Sequence, residues 1–227
     1  MNIRGKIFRS LLLAAFLACA VPASARQVLH YRTYHPKTGE EVNRFDCVIE
    51  ENPSGGYQVR WTIDEGGSVT QQDCTLGEHF DTLGFREVNA SQKTDYTGER
   101  KDNQILLRGQ FKGENITKDL KIDDRPFYYN PKTGLVDFVR SGEKQTRFWG
   151  FNNRDPNVHP MKAVNEGPDR ISLGGKQVDV IRVYWTLDDF RSAFFKRTYW
   201  FRASDGTYVR QKSYGGTFRE LVSEEEQ

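Results

Sequence analysis

Between Val178 and Tyr214 the chain reads as β-structure throughout. The runs VDVIRVYWTLDD, KRTYWFRA and TYVRQKSY are dense in β-branched and aromatic residues and are punctuated by Ser204-Asp205-Gly206, a composition suited to a pleated surface. Side chains alternate along a strand, so Ile181, Val183 and Trp185 share one face of the first run while Val180, Arg182 and Tyr184 share the other. In the second run Phe195, Arg197, Tyr199 and Phe201 oppose Lys196, Thr198, Trp200 and Arg202. Both faces carry aromatics. That suits a sheet wrapped around something, with large residues on its concave side, better than a sandwich strand with one wet face.

The first 25 residues read as a signal peptide. Arg4, Lys6 and Arg9 form a basic start, Leu11 to Cys19 an apolar core, and Ala23-Ser24-Ala25 a small-residue cleavage site. The apolar run falls short of the roughly 18 residues that span a bilayer, and no later run approaches that length. We therefore expect cleavage after Ala25 and a soluble periplasmic chain. Lipoprotein processing at Cys19 is the weaker alternative, because Phe16 stands where a lipobox normally has Leu. Loss of the leader removes three basic and no acidic residues, taking the formal net charge from +2 to −1. The remaining charges are interspersed, which gives no electrostatic footprint for nucleic acid or an anionic membrane surface.

Two cysteines remain, Cys47 and Cys74. An oxidising compartment favours a disulfide between them, whose 26-residue loop would contribute about 3 to 4 kcal/mol. The turn residues pull the other way. If Asn52-Pro53-Ser54-Gly55-Gly56 and Gly66-Gly67 connect three neighbouring strands, Cys47 falls opposite Trp61 and Cys74 opposite Val59. Two inter-strand spacings, about 9 to 10 Å, then separate them, beyond the about 7 Å a disulfide spans. The bond is the expectation from compartment, and free thiols are the expectation from a true meander.

Gly, Pro and Asn clusters punctuate the rest of the chain. Phe85 to Thr97 reads as one strand, Met161 to Glu166 and Arg170 to Leu173 as two short ones. Tyr129-Asn130-Pro131-Lys132-Thr133-Gly134 echoes Tyr34-His35-Pro36-Lys37-Thr38-Gly39, which we read as a common hairpin turn used twice. Leu135, Phe138 and Val139 at i, i+3, i+4 spacing mark a short helix ended by Gly142. No linker divides the chain. The expectation is a mainly β protein: one domain over residues 26–222, a single curved antiparallel sheet (a half-barrel) of roughly ten strands, one or two short helices on its concave side, and a fraying acidic tail at 223–227.

Asp123-Asp124-Arg125-Pro126-Phe127-Tyr128, Phe148-Trp149, Met161-Lys162-Ala163, the ISLGGK stretch from Ile171, the Val180 to Trp185 strand, and Tyr199-Trp200-Phe201 leading to Tyr208-Val209-Arg210 together resemble a group of uncharacterised exported bacterial proteins. That group lies near the lipoprotein carriers LolA and LolB, and the link onward to them is one of architecture. The resemblance implies an antiparallel half-barrel closed by short helices around a hydrophobic cavity, which in the carriers holds lipid chains. It brings no catalytic motif.

Other chemistry is sparse. His30, His35, His79 and His159 lack metal-ligand spacing, and Glu78-His79 with Asp81 reads as a polar loop. Nucleophile, phosphate-loop and dinucleotide motifs are missing. Asp123-Asp124 and Asp188-Asp189 are adjacent, which suits turns better than a shared acid–base site. The expectation is therefore no enzyme, metal or cofactor, but a periplasmic binding or carrier protein for a lipid, a lipidated protein or another apolar ligand. Its candidate wall is Trp149, Phe151, Trp185, Tyr199 and Phe201. The alternative is an envelope interaction protein whose barrel is filled by its own side chains.

Overall fold

The computed structural model describes residues 25–193, 195–212 and 216–226; the leader lies outside them, except Ala25. The first half is a run of eight strands: β1 (Arg26–Tyr34), β2 (Glu41–Glu51), β3 (Tyr57–Glu65), β4 (Ser68–Leu76), β5 (Thr82–Asn89), β6 (Thr94–Lys101), β7 (Gln104–Phe111) and β8 (Glu114–Lys121). A short strand β9 (Phe127–Tyr128) and two helices, α1 (Pro131–Gly134) and α2 (Val136–Ser141), follow. The chain then returns through β10 (Gln145–Asn152), β11 (Asn157–Leu173), β12 (Lys176–Leu187), β13 (Lys196–Arg202), β14 (Tyr208–Lys212) and β15 (Phe218–Glu226).

All fifteen strands form one open sheet. Each lies beside its chain neighbour, except that β1 pairs with β15 while β8 and β9 are the two ends of the sheet. The pairing is antiparallel throughout except between β9 and β10. Alternation sets the faces: Phe45 and Cys47 in β2, Val59 and Trp61 in β3, and Cys74 and Leu76 in β4 are buried, with more open residues between them. The sheet coils until its ends overlap, and side chains span the gap. Phe85 of β5 stacks on Tyr129 at 4.1 Å and lies 6.1 Å from Phe127. The Tyr129 amide donates to Thr82 Oγ1. Beside them Arg100 reaches the carbonyl of Arg125 and Lys118 that of Pro156.

The helices pack on the concave side, where Leu135, Phe138 and Val139 are buried. Asn130 caps α1 by accepting from the Lys132 amide, Pro131 takes the first turn, and Gly142 ends α2 with φ +71°. Gly206, at φ +73° in the turn after β13, lets α2 approach closely: a Cβ there would lie 3.2 Å from Val136.

Five expectations are corrected. The strand count is fifteen rather than roughly ten. Phe85 to Thr97 is not one strand, because the chain turns at Ala90–Lys93, where Lys93 takes φ +51° without a Gly or Pro to announce it. Met161–Glu166 and Arg170–Leu173 belong to one long strand, β11, whose register shifts between Asn165 and Gly167. The acidic tail is not frayed: Glu224, Glu225 and Glu226 pair with Leu29, Val28 and Gln27 of β1. The disulfide is absent, and Cys47 and Cys74 are buried free thiols. They lie opposite Trp61 and Val59 on either side of β3, so a whole strand stands between them.

Candidate functional site

The concave interior holds two cavities separated by the start of α1. The first, of about 570 Å³, is walled by Leu29, Tyr31, Cys47, Ile49, Tyr57, Trp61, Phe80 and Val136, with Arg26, Glu51, Arg140, Asp205 and Glu226 among its charged residues. The second, of about 530 Å³, is walled by Ile63, Phe151, Met161, Trp185, Leu187, Phe195 and Tyr199. Both volumes fall in the range that takes a small ligand or a lipid chain. Strand geometry supplies these walls. Trp185, Arg197 and Tyr199 share one face across β12 and β13, since Trp185 pairs with Arg197 and Val183 with Tyr199.

Lys132 lines both cavities. The fold places it there through α1, and its ammonium lies 4.7 Å from the centre of the Trp61 ring. Burial pushes that ammonium well below the usual lysine range, and the charges of Arg219 and Arg197 push the same way. Arg197 sits over Trp185 and Phe195, 5.6 and 5.5 Å from the ring centres. Arg219 sits 4.1 Å over Phe45. The buried carboxylate closest to the second cavity's wall is Glu87, and neutral groups engage it: Gln72 at 2.8 Å, Asn153 at 2.5 Å, and the Tyr129 hydroxyl. Burial likewise raises the thiol pKa of Cys47 and Cys74, which leaves them protonated and poor nucleophiles.

No described protein family matches the sequence, and no curated protein matches it. Among solved structures it is similar to a β-barrel-like protein of domain of unknown function DUF1849 from Brucella abortus, at 15% identity over 89% of this chain and 98% of that one, with a TM-score of 0.58. The two share a fold. Weaker likenesses are to the hypothetical lipoprotein YmcC of Escherichia coli K12 (10% identity, 91% and 88% coverage, TM-score 0.35) and a putative outer membrane lipoprotein-sorting protein domain of Vibrio parahaemolyticus (8% identity, 89% and 85% coverage, TM-score 0.27).

The five aromatics of the expected wall do not stay together. Phe151, Trp185 and Tyr199 line the second cavity. Phe201 is fully buried core, 6.1 Å from both Tyr199 and Tyr208. Trp149 lines neither cavity; its indole N–H donates to Asp123 at 2.7 Å and Arg125 covers its ring. The first cavity comes from residues the sequence reading passed over, above all Leu29, Tyr31 and Trp61. Alternation in β1 and β3 carried that signal. Lys132 had no usable signal, because its hexapeptide matches the Tyr34–Gly39 turn, where Lys37 is exposed. That turn and the α1 helix differ although their residues rhyme, which corrects the reading of a hairpin turn used twice. His79 pairs with Asp137 at 2.9 Å on the surface, and Asp123 accepts from Arg125 and Trp149 as part of a turn.

Proposed function

We propose that this protein is a binding or carrier protein of the bacterial cell envelope that holds a lipid chain or another apolar ligand inside its coiled sheet. The observation that carries this reading is the pair of interior cavities, about 570 and 530 Å³, bounded by aromatic and aliphatic side chains. A barrel filled by its own residues would have no such space, so the interaction-protein reading is the weaker one. Placement in the periplasm rests on the leader at residues 1–25 and on the resemblance to exported proteins near LolA and LolB. No helix among the described residues is long and apolar enough to cross a membrane.

Titration with a fluorescent fatty-acid probe tests the reading. Saturable binding is expected, weakened by Trp185→Ala and Tyr199→Ala, which open the cavity wall, and unchanged by Trp149→Ala, which does not touch it. A folded protein that takes up no probe, and carries no lipid by native mass spectrometry after purification from its periplasm, would overturn the reading.

A further inference from the structure

We propose that the ligand is an anionic amphiphile, whose carboxylate or phosphate head is held at Lys132 and Arg197 while its chain lies along the aromatic wall. The inference rests on the carrier reading and adds the charge of the ligand to it. Its basis is an imbalance of charge. The residues lining the second cavity include Lys132, Arg154 and Arg197 but no Asp or Glu. On the outer surface, by contrast, several cations do meet carboxylates: Arg60 lies 2.5 Å from Asp73, Arg86 2.8 Å from Asp95, Arg202 2.8 Å from Glu224.

Lys132 and Arg197 are half-buried and Arg154 is exposed; for the first two, charge drawn partly out of water without a partner is costly, because the low-dielectric wall does not replace lost hydration. Rings under Lys132, Arg197 and Arg219 return part of that loss. They do not neutralise the charge, and Glu87 is already engaged by Gln72, Asn153 and Tyr129. An incoming carboxylate or phosphate supplies the missing counter-charge in a site where charge-assisted hydrogen bonds are strong. Lys132, shared by both cavities, can therefore hold a head group while apolar walls lie on either side of it.

Calorimetric titration of the full mature chain with oleate, oleoyl lysophosphatidate, monoolein and inorganic phosphate, each below its micelle concentration where it has one, tests this. The first two share a chain and differ in head group, monoolein is the neutral counterpart, and phosphate is a head without a chain. Both anionic lipids should bind about tenfold or more tightly than monoolein. Lys132→Met and Arg197→Gln, each checked for folding by circular dichroism, should each narrow that gap, whereas Arg60→Gln on the outer surface should leave it unchanged. Equal binding of oleate, lysophosphatidate and monoolein would overturn the anionic head group and leave the carrier reading standing. If none of the three binds, both readings fall. Binding of phosphate alone, without the lipids, would keep an anion site and overturn the amphiphile.

Discussion

Neighbouring residues of β15 face opposite sides of the sheet and treat charge in opposite ways. Glu220, only 5% exposed, receives Arg32 at 2.9 Å, Arg210 at 2.8 Å and the Tyr34 hydroxyl at 2.9 Å on the outer face. One residue earlier Arg219 turns inward, over Phe45, on the side of the sheet where Lys132 and Arg197 line a cavity that has no Asp or Glu among its described residues. On the outer face the cations hold strands together. The inner ones oppose folding, a liability that the binding role proposed above would account for. The pairing at Glu220 is structural, and the imbalance around Lys132 is where the proposed ligand would place its head group.

Breaking the outer cluster should produce the largest change. Glu220→Gln leaves Arg210, the better shielded of the two arginines, without its counter-charge. The expected loss is about 3 kcal/mol by urea or thermal unfolding. A second test uses pH. Burial raises the Glu220 pKa, but hydrogen bonds from Arg32, Arg210 and Tyr34 outweigh it and leave the carboxyl below its ordinary value. A depressed carboxylate stabilises the fold above its unfolded pKa of about 4.3, and that contribution disappears as pH falls through the lower folded value. Wild-type stability should therefore decline across that acid range, and Glu220→Gln should show a shallower decline.

The interior predicts the opposite sign. Lys132→Met removes a half-buried lysine head with no ion pair among the described residues and keeps its aliphatic length, so the ligand-free protein should become more stable by about 1 kcal/mol, raising Tm by about 2 to 4 °C. A drop in Tm would mean that Lys132 holds the fold together, and the contrast between the two faces would break. The smallest effect belongs to Arg60→Gln. Its partner Asp73 is an exposed cross-strand pair, and chemical unfolding should shift by no more than about 0.5 kcal/mol.

Glycine-marked turns made much of the sheet legible. Asn52–Gly56 and Gly66–Gly67 set the register of β2, β3 and β4 correctly, down to Cys47 opposite Trp61 and Cys74 opposite Val59. The same register contradicts the disulfide inferred from compartment: local turn geometry outweighed a general rule about export. Where a turn used Lys93 instead of glycine, the strand boundary vanished from view. The site was legible in part. Trp185 and Tyr199 belong to strands whose alternation is plain, whereas Trp149 shares that alternation but lies beside Arg125 and Asp123, which recruit its ring and N–H. Lys132 was hidden because its position depends on α1 entering the interior, which six residues of turn-like sequence do not reveal.

A cylinder closed by a continuous ladder has its girth fixed by strand number and stagger. The free strands β8 and β9 escape that constraint, because the overlap between Phe85 and the Phe127–Tyr129 segment is made by rings and isolated hydrogen bonds. Aromatic faces can slide past one another, exchanging contacts of similar strength, while the backbone ladders of the rest of the sheet stay intact. A sheet closed in this way can loosen or tighten by small steps without breaking a ladder, and under the carrier reading proposed above that freedom would let chains of several lengths fit a single wall.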